Sequence, residues 1–346
     1  TRHSASPFPA AGPRARWSVI GRVHRATRRR LAGIAAAATA LAGALPLAIP
    51  LAIPFALPFA LPLALSLGLA TTPTPAAAQE TFKLGVVSFL SGQAAESFGV
   101  PAVNGGKWLI DQFNNGTAPA PYDKKGFGGL AIEAVYIDEN GGATKQVQEL
   151  RNLYERENVD AVVGYVSSGD CLAVAPVAEE MKRFLLLYDC GTPRIFEERS
   201  YDYVFRTASH GTMDNVALAR YLKKKDFKVE TINFINQDYA WGHDSLLDFE
   251  LAMKVLYPDA KKGADLRPKF GAGQYGTEIS SLMSSPATIT HSSLWGGDLQ
   301  AFVLQSAPRG LFKRSQVVLS AADHVLPGLG NRMPDGTILG ARGAYG

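Results

Sequence analysis

Two short turns, Ser167-Ser168-Gly169-Asp170-Cys171 and Asp189-Cys190-Gly191-Thr192, follow apolar runs and hold both cysteines of the 346-residue chain. Hydroxyls beside the free N–H groups of a helix start can grip an anion. Two cysteines can form a bridge or, with suitable neighbours, a redox pair or part of a metal site. No C-x-x-C occurs, and two cysteines without clustered histidine make a poor zinc site. His243 with Asp244 and Asp248 has ligand-like spacing, but one histidine among helix acids is the pattern of a solvated face. "GAGQYG" (271–276) fits G-x-G-x-x-G literally. It follows "RPKF" rather than an apolar strand and has no suitable acid downstream, so it is expected to be a flexible lead into a helix. No G-x-S-x-G elbow is present. These residue types favour binding over catalysis and imply no cofactor or metal.

The compartment decides what the cysteines mean. The formal charge is +4, but eight arginines (Arg2, Arg14, Arg16, Arg22, Arg25, Arg28, Arg29 and Arg30) precede Gln79, with no acid among them. Without those eight, 27 Lys and Arg face 31 Asp and Glu, so the rest of the chain is acidic and nucleic acid is not an expected partner. Residues 1–78 read as a secretory leader: an Arg-rich stretch, an apolar run with proline at every fourth position from Pro46 to Pro62, and the A-x-A site Ala76-Ala77-Ala78. "TRRRLAG" loosely resembles a twin-arginine signal. The apolar run is long enough to span a bilayer, so an anchored form is the alternative to cleavage. Export to a periplasmic location makes a disulfide the expected fate of an isolated cysteine pair, two buried thiols being the alternative.

The elements that position these turns alternate strictly. Strands are expected at 82–90, 130–138, 159–166, 183–189 and 201–208, with helices at 100–113, 143–157 and after Ser167. A second cycle has strands at 230–236, 287–295 and 315–321 between helices at 212–225, 242–257, 276–284 and 298–307, with 259–275 as a loop. Strands separated by helices of this length form parallel sheets. The fold class is therefore α/β with two lobes, 79–207 and 208–325, each a parallel sheet flanked by helices. The strands preceding Cys171 and Cys190 are expected to be neighbours, about 4.8 Å apart, which permits the bridge.

"FKLGVVSFLSGQAAESFGVPAVNGGKWLIDQFN", "VVGYVSSGDCLAVAPVAEE", "INQDYAWGHDS" and "SSLWGGDLQAFVLQ" together resemble the type I periplasmic binding proteins, within them the branched-chain amino-acid branch that serves ABC importers. The resemblance runs from Phe82 to Gly346. It implies a two-lobed clamp that closes on a small solute, with a membrane permease as partner and no catalysis. It also implies a return crossing toward lobe one in 326–346 that stops short of the family's closing segment, so the chain is expected to be truncated there. An exported sensor module is the competing class, and an α/β hydrolase a more distant one.

By the same resemblance, Ser168, with Ser167 beside it, matches a serine that grips a ligand carboxylate, and Thr192, after Gly191, a threonine that bonds an amino-acid head. Trp241 and Phe98 occupy aromatic positions on opposite lobes. Asp298, or failing that Asp323, would face an ammonium. The solute expected is an amino acid or similar carboxylate, with amides and aromatic acids open. On structural grounds alone Ser167 and Ser168, like Asp298, could instead cap their helices, and Trp241 could be lobe packing. The leader makes one prediction: N-terminal sequencing of exported protein should find a start at or near Gln79, and retention of the proline repeat would mean an anchor.

Overall fold

Every pairing between the named strands is parallel, and the strands sort into two sheets of five with the same winding. The computed structural model describes residues Glu80–Arg342. The leader expected at 1–78 lies outside them. No helix among the described residues is long and apolar enough to cross a membrane.

The first sheet comprises β1 (Thr81–Ser88), β2 (Ala131–Asp138), β3 (Ala161–Gly164), β4 (Leu185–Leu187) and β5 (Val204–Arg206), in the order β2-β1-β3-β4-β5. Its major helices are α1 (Val100–Asn115), α2 (Ala143–Glu155) and α3 (Ser168–Glu180). Pro101 sits in the first turn of α1, where no backbone donor is lost, and Gly116 ends the helix in a left-handed conformation at φ 68. Ser167 caps α3 by accepting from the Asp170 N–H at 3.4 Å. Leu150, Leu153, Val162, Leu185 and Leu187 are fully buried between helices and sheet.

The second sheet comprises β6 (Thr231–Ile235), β7 (Lys261–Leu266), β8 (Ile289–Ser292), β9 (Gln316–Leu319) and β10 (Ile338–Leu339), in the order β10-β9-β8-β6-β7. Its helices are α4 (Gly211–Lys224), α5 (Ala240–Leu256), α6 (Gly276–Ser284) and α7 (Gly296–Ser306). Leu218, Ala219 and Leu222 of α4 pack into this lobe's core, so the chain has changed lobes by the start of that helix.

Two boundaries differ from the sequence reading. Residues 261–266, expected to be loop, form edge strand β7; Lys261 and Lys262 are exposed there, and charge on a sheet edge hides the alternation that marks a strand. Lobe two also runs past 325. Val325 and Leu329 are buried in its core, and Ile338 and Leu339 pair with Val318 and Leu319. A strand of two residues is too short to show a period.

Cys171 in α3 and Cys190 beyond β4 are joined in a disulfide with a Cα–Cα distance of 6.2 Å. Both are fully buried in the core of lobe one. Closing a loop over a separation of 19 residues is worth about 3 kcal/mol in the chain-entropy model. The denatured, unreduced protein should show no free thiol from this pair. Replacing both cysteines by serine should lower denaturation stability by roughly 2–4 kcal/mol. Two reactive thiols per chain would contradict the bridge.

Candidate functional site

In a doubly wound sheet the crevice opens beyond the carboxyl ends of the strands, where the winding reverses. Here those points lie between β1 and β3 in lobe one and between β6 and β8 in lobe two. The residues that follow these four strands face one another across a cavity of about 720 Å³. Lobe one contributes Phe98, Val166 and Ser168, and lobe two contributes Tyr239, Trp241 and Trp295.

The aromatic walls are fixed by their polar edges. The Trp241 Nε1 donates to the Ser293 carbonyl at 2.8 Å, and the Trp295 Nε1 donates to the Tyr239 hydroxyl at 2.7 Å. Phe98 meets Trp295 edge-on at 5.9 Å and His324 at 5.4 Å, and stacks on Tyr188 at 6.5 Å. Tyr188 is held in turn by a 2.8 Å hydrogen bond with Ser88. Such rings offer a flat apolar slot at small entropic cost, because each is already locked.

The lobes touch closely at the turn after β4. A Cβ on Gly191 would stand 2.5 Å from Trp241 Cε3, so only glycine permits this approach. The Gly211 N–H donates to the Gly191 carbonyl at 2.7 Å. Arg206 donates from Nη1 to the carbonyls of Cys190 (3.1 Å) and Thr192 (2.6 Å), which holds the turn from behind.

Of the eight residues expected to bind, Ser168, Gly191, Phe98, Trp241 and Asp323 line the cavity. Ser167, Thr192 and Asp298 do not. Ser167 is the cap of α3. The Thr192 hydroxyl donates to Asp244 at 2.6 Å, a contact from one lobe to the other. Asp298 is 1% exposed and turned away. It accepts from Gln237 Nε2 (2.7 Å) and from the Gly271 and Gly273 N–H groups (2.7 and 3.2 Å). It therefore ties down the glycine-rich loop rather than facing a solute. Of the expected solvated face only His243 is exposed, paired with Asp238 at 2.7 Å; Asp244 is buried against Thr192 and Asp248 accepts from the Thr212 hydroxyl at 2.9 Å, because this side of the helix packs against the other lobe and α4.

The helix start behind Ser168 is also partly occupied. Glu139, fully buried, accepts from the Val166 N–H at 2.8 and 3.0 Å and from the Ser167 N–H at 2.7 Å. Tyr165 supplies the turn with a left-handed backbone at φ 68, unusual for a tyrosine. Burial pushes the Glu139 carboxyl well up, with Asp170 and Asp189 adding repulsion and the two N–H groups opposing. Asp170, also buried, is pushed up to about 6. The Ser168 hydroxyl accepts from the Thr192 N–H at 3.1 Å.

The sequence reading missed Arg342. Its Nη1 donates to Asp189 at 2.6 Å, its Nη2 and Nε donate to Asp214 at 2.6 and 3.0 Å, and its backbone N–H donates to Asp323 at 3.3 Å. The guanidinium lies 4.9 Å from the centroid of the Trp241 ring. Burial raises the carboxyls of Asp189 and Asp214, while Arg342 pulls both back down. The Asp323 carboxyl is lowered, chiefly by the His324 side chain 3.8 Å away. Asp189 could have been found by the logic that found Ser168, since it directly follows a strand. Arg342 could not, because its partners lie 128 and 153 residues away along the chain.

Paired parallel sheets with an aromatic cleft between their carboxyl ends define a two-lobed, type I periplasmic-binding-protein fold. The periplasmic binding protein family model matches residues 81–344, and the chain belongs to that family. Solved structures agree on the fold. A solute-binding protein of an ABC transporter from Rhodopseudomonas palustris, in complex with 3,4-dihydroxybenzoic acid, matches at TM-score 0.59 and 18% identity over 69% of this chain and 61% of that one. An amino-acid ABC transporter substrate-binding protein from Pseudomonas fluorescens matches at 0.64 and 17% over 76% and 67%. A branched-chain amino-acid transporter substrate-binding protein from Streptococcus pneumoniae, in complex with isoleucine, matches at 0.57 and 18% over 69% and 64%. This chain thus spans less than two thirds of the length of the first and third of these. A search of curated protein sequences found no match.

The geometry of Asp298 yields a prediction. Asp298→Ala should cost about 2–4 kcal/mol of stability by stranding the buried Gln237 amide and releasing the glycine-rich loop. An amino acid and its deaminated analogue should lose affinity equally, by calorimetry. A loss confined to the amino acid would place Asp298 against the ammonium.

Proposed function

We propose that the chain is the exported solute receptor of an ABC importer, a non-catalytic clamp whose partner is a membrane permease. The observation that carries this reading is the cavity itself. It lies at the switch points of both sheets, is of small-molecule size, and takes aromatic walls from both lobes. Phe98 and Trp241 would sandwich the apolar body of the solute, while Ser168, Gly191 and Asp323 would meet its polar head. Solved relatives are described with isoleucine, benzoate and hydroxybenzoates bound, which supports a solute of that size carrying a flat or branched apolar part. The amino-acid expectation is retained as one arm of this reading.

A thermal-shift screen tests it. Amino acids, aromatic acids, short amides and aryl or alkyl amines should include at least one stabilising compound. A solute at a hundred times its Kd adds about 2.7 kcal/mol, or several degrees in a domain of this size. Trp241→Ala should abolish the shift. Failure of every compound to stabilise the wild type would count against a solute receptor.

A further inference from the structure

The charges around the cleft do not balance. Glu96, Asp189 and Asp323 line it with a single guanidinium, that of Arg342, and Arg342 is also bonded to a fourth carboxylate, Asp214. His324 is tied to the protein itself: its Nε2 accepts from the Gly296 N–H at 2.9 Å, and its Nδ1 lies 3.8 Å from Asp323. Arg342 has committed Nε and both terminal nitrogens to Asp189 and Asp214. Among the described residues that line the cleft, three carboxylates accompany one guanidinium, whose Nε and terminal nitrogens are already engaged by Asp189 and Asp214.

An independent observation concerns the place where a carboxylate would dock. The Val166 and Ser167 N–H groups, at the start of α3, are taken by the Glu139 carboxylate. The protein has supplied its own acceptor there. An incoming carboxylate would find fewer donors and a fixed acid nearby.

The walls, by contrast, are already arranged around a cation. The Arg342 guanidinium lies over the Trp241 ring between an acid from each lobe, which is the environment that organic cations favour. Phe98, Tyr188, Tyr239 and Trp295 line the same cavity as Asp323. We propose that the cleft selects a small organic cation, an ammonium or guanidinium on an apolar or aromatic body, over a carboxylate of the same shape. Asp323 is the acid that receives it, and the neighbouring rings surround its charge. The inference rests on the receptor reading and specifies the solute class of that site.

Matched probes separate the two ideas. Phenethylamine, phenylalanine and hydrocinnamate share one body and carry positive, zwitterionic and negative heads. Isoamylamine, leucine and isocaproate do the same for a branched body. Titrated into the full chain by calorimetry at neutral pH, at least one amine should bind about tenfold or more tighter than its matched acid, with the amino acid between. An acid or amino acid that binds more tightly than its amine would overturn the cation assignment and leave the receptor reading standing. Absence of binding by all six, together with no stabilising compound in the wider screen, would overturn both. Asp323→Asn, checked for native circular dichroism, should weaken the amine about tenfold and spare or improve the acid. Equal loss for amine and acid would make Asp323 structural and refute its proposed role.

Discussion

A guanidinium taken out of water must be paired, and Arg342 is paired by both halves of the molecule at once. Asp189 reaches it from the end of β4 in lobe one, and Asp214 from the first turn of α4 in lobe two. Removing one partner of such a buried set typically costs 3–5 kcal/mol, because the remaining charge is left without compensation. The pairing therefore does more than decorate the cleft. It fixes the separation at which Gly191 can lie against Trp241, and with it the spacing of the aromatic walls. The Thr192–Asp244 bond, also shared between lobes, works in the same direction.

The two sheets reach this arrangement by the same route. Each winds outward from its first strand, so each presents one reversal point, and each reversal point is furnished with rings or hydroxyls from the segments that follow its strands. Side chains so close to a strand end inherit its rigidity. Further along, the polar residues are spent on structure: Asp298 on the loop before α6, Thr192 on Asp244.

Much of this was legible in the sequence because the signals are local. Apolar runs and amphipathic spacing marked nearly all of the strands and helices, position after a strand picked out Ser168 and Gly191, and the family resemblance picked out Trp241. The failures share a physical cause. β7 and β10 lack a period, one through edge charge and the other through length. Asp298 follows a strand, as a cleft acid should, yet the glycine-rich loop folds back to claim it, and no local pattern announces which neighbour a carboxylate will choose. Arg342 is the extreme case, since its role depends entirely on contacts made through the tertiary fold.

The disulfide gives the clamp unequal jaws. Cys190 adjoins Gly191 in the cleft, and its covalent partner sits one turn into the helix that begins at Ser168. Lobe one therefore presents its polar contacts on a cross-linked frame, whereas the facing rings of lobe two are held by single hydrogen bonds. The position of a solute's head group is therefore set by covalent geometry, while the fit of its body is set by rings that non-covalent contacts hold in place.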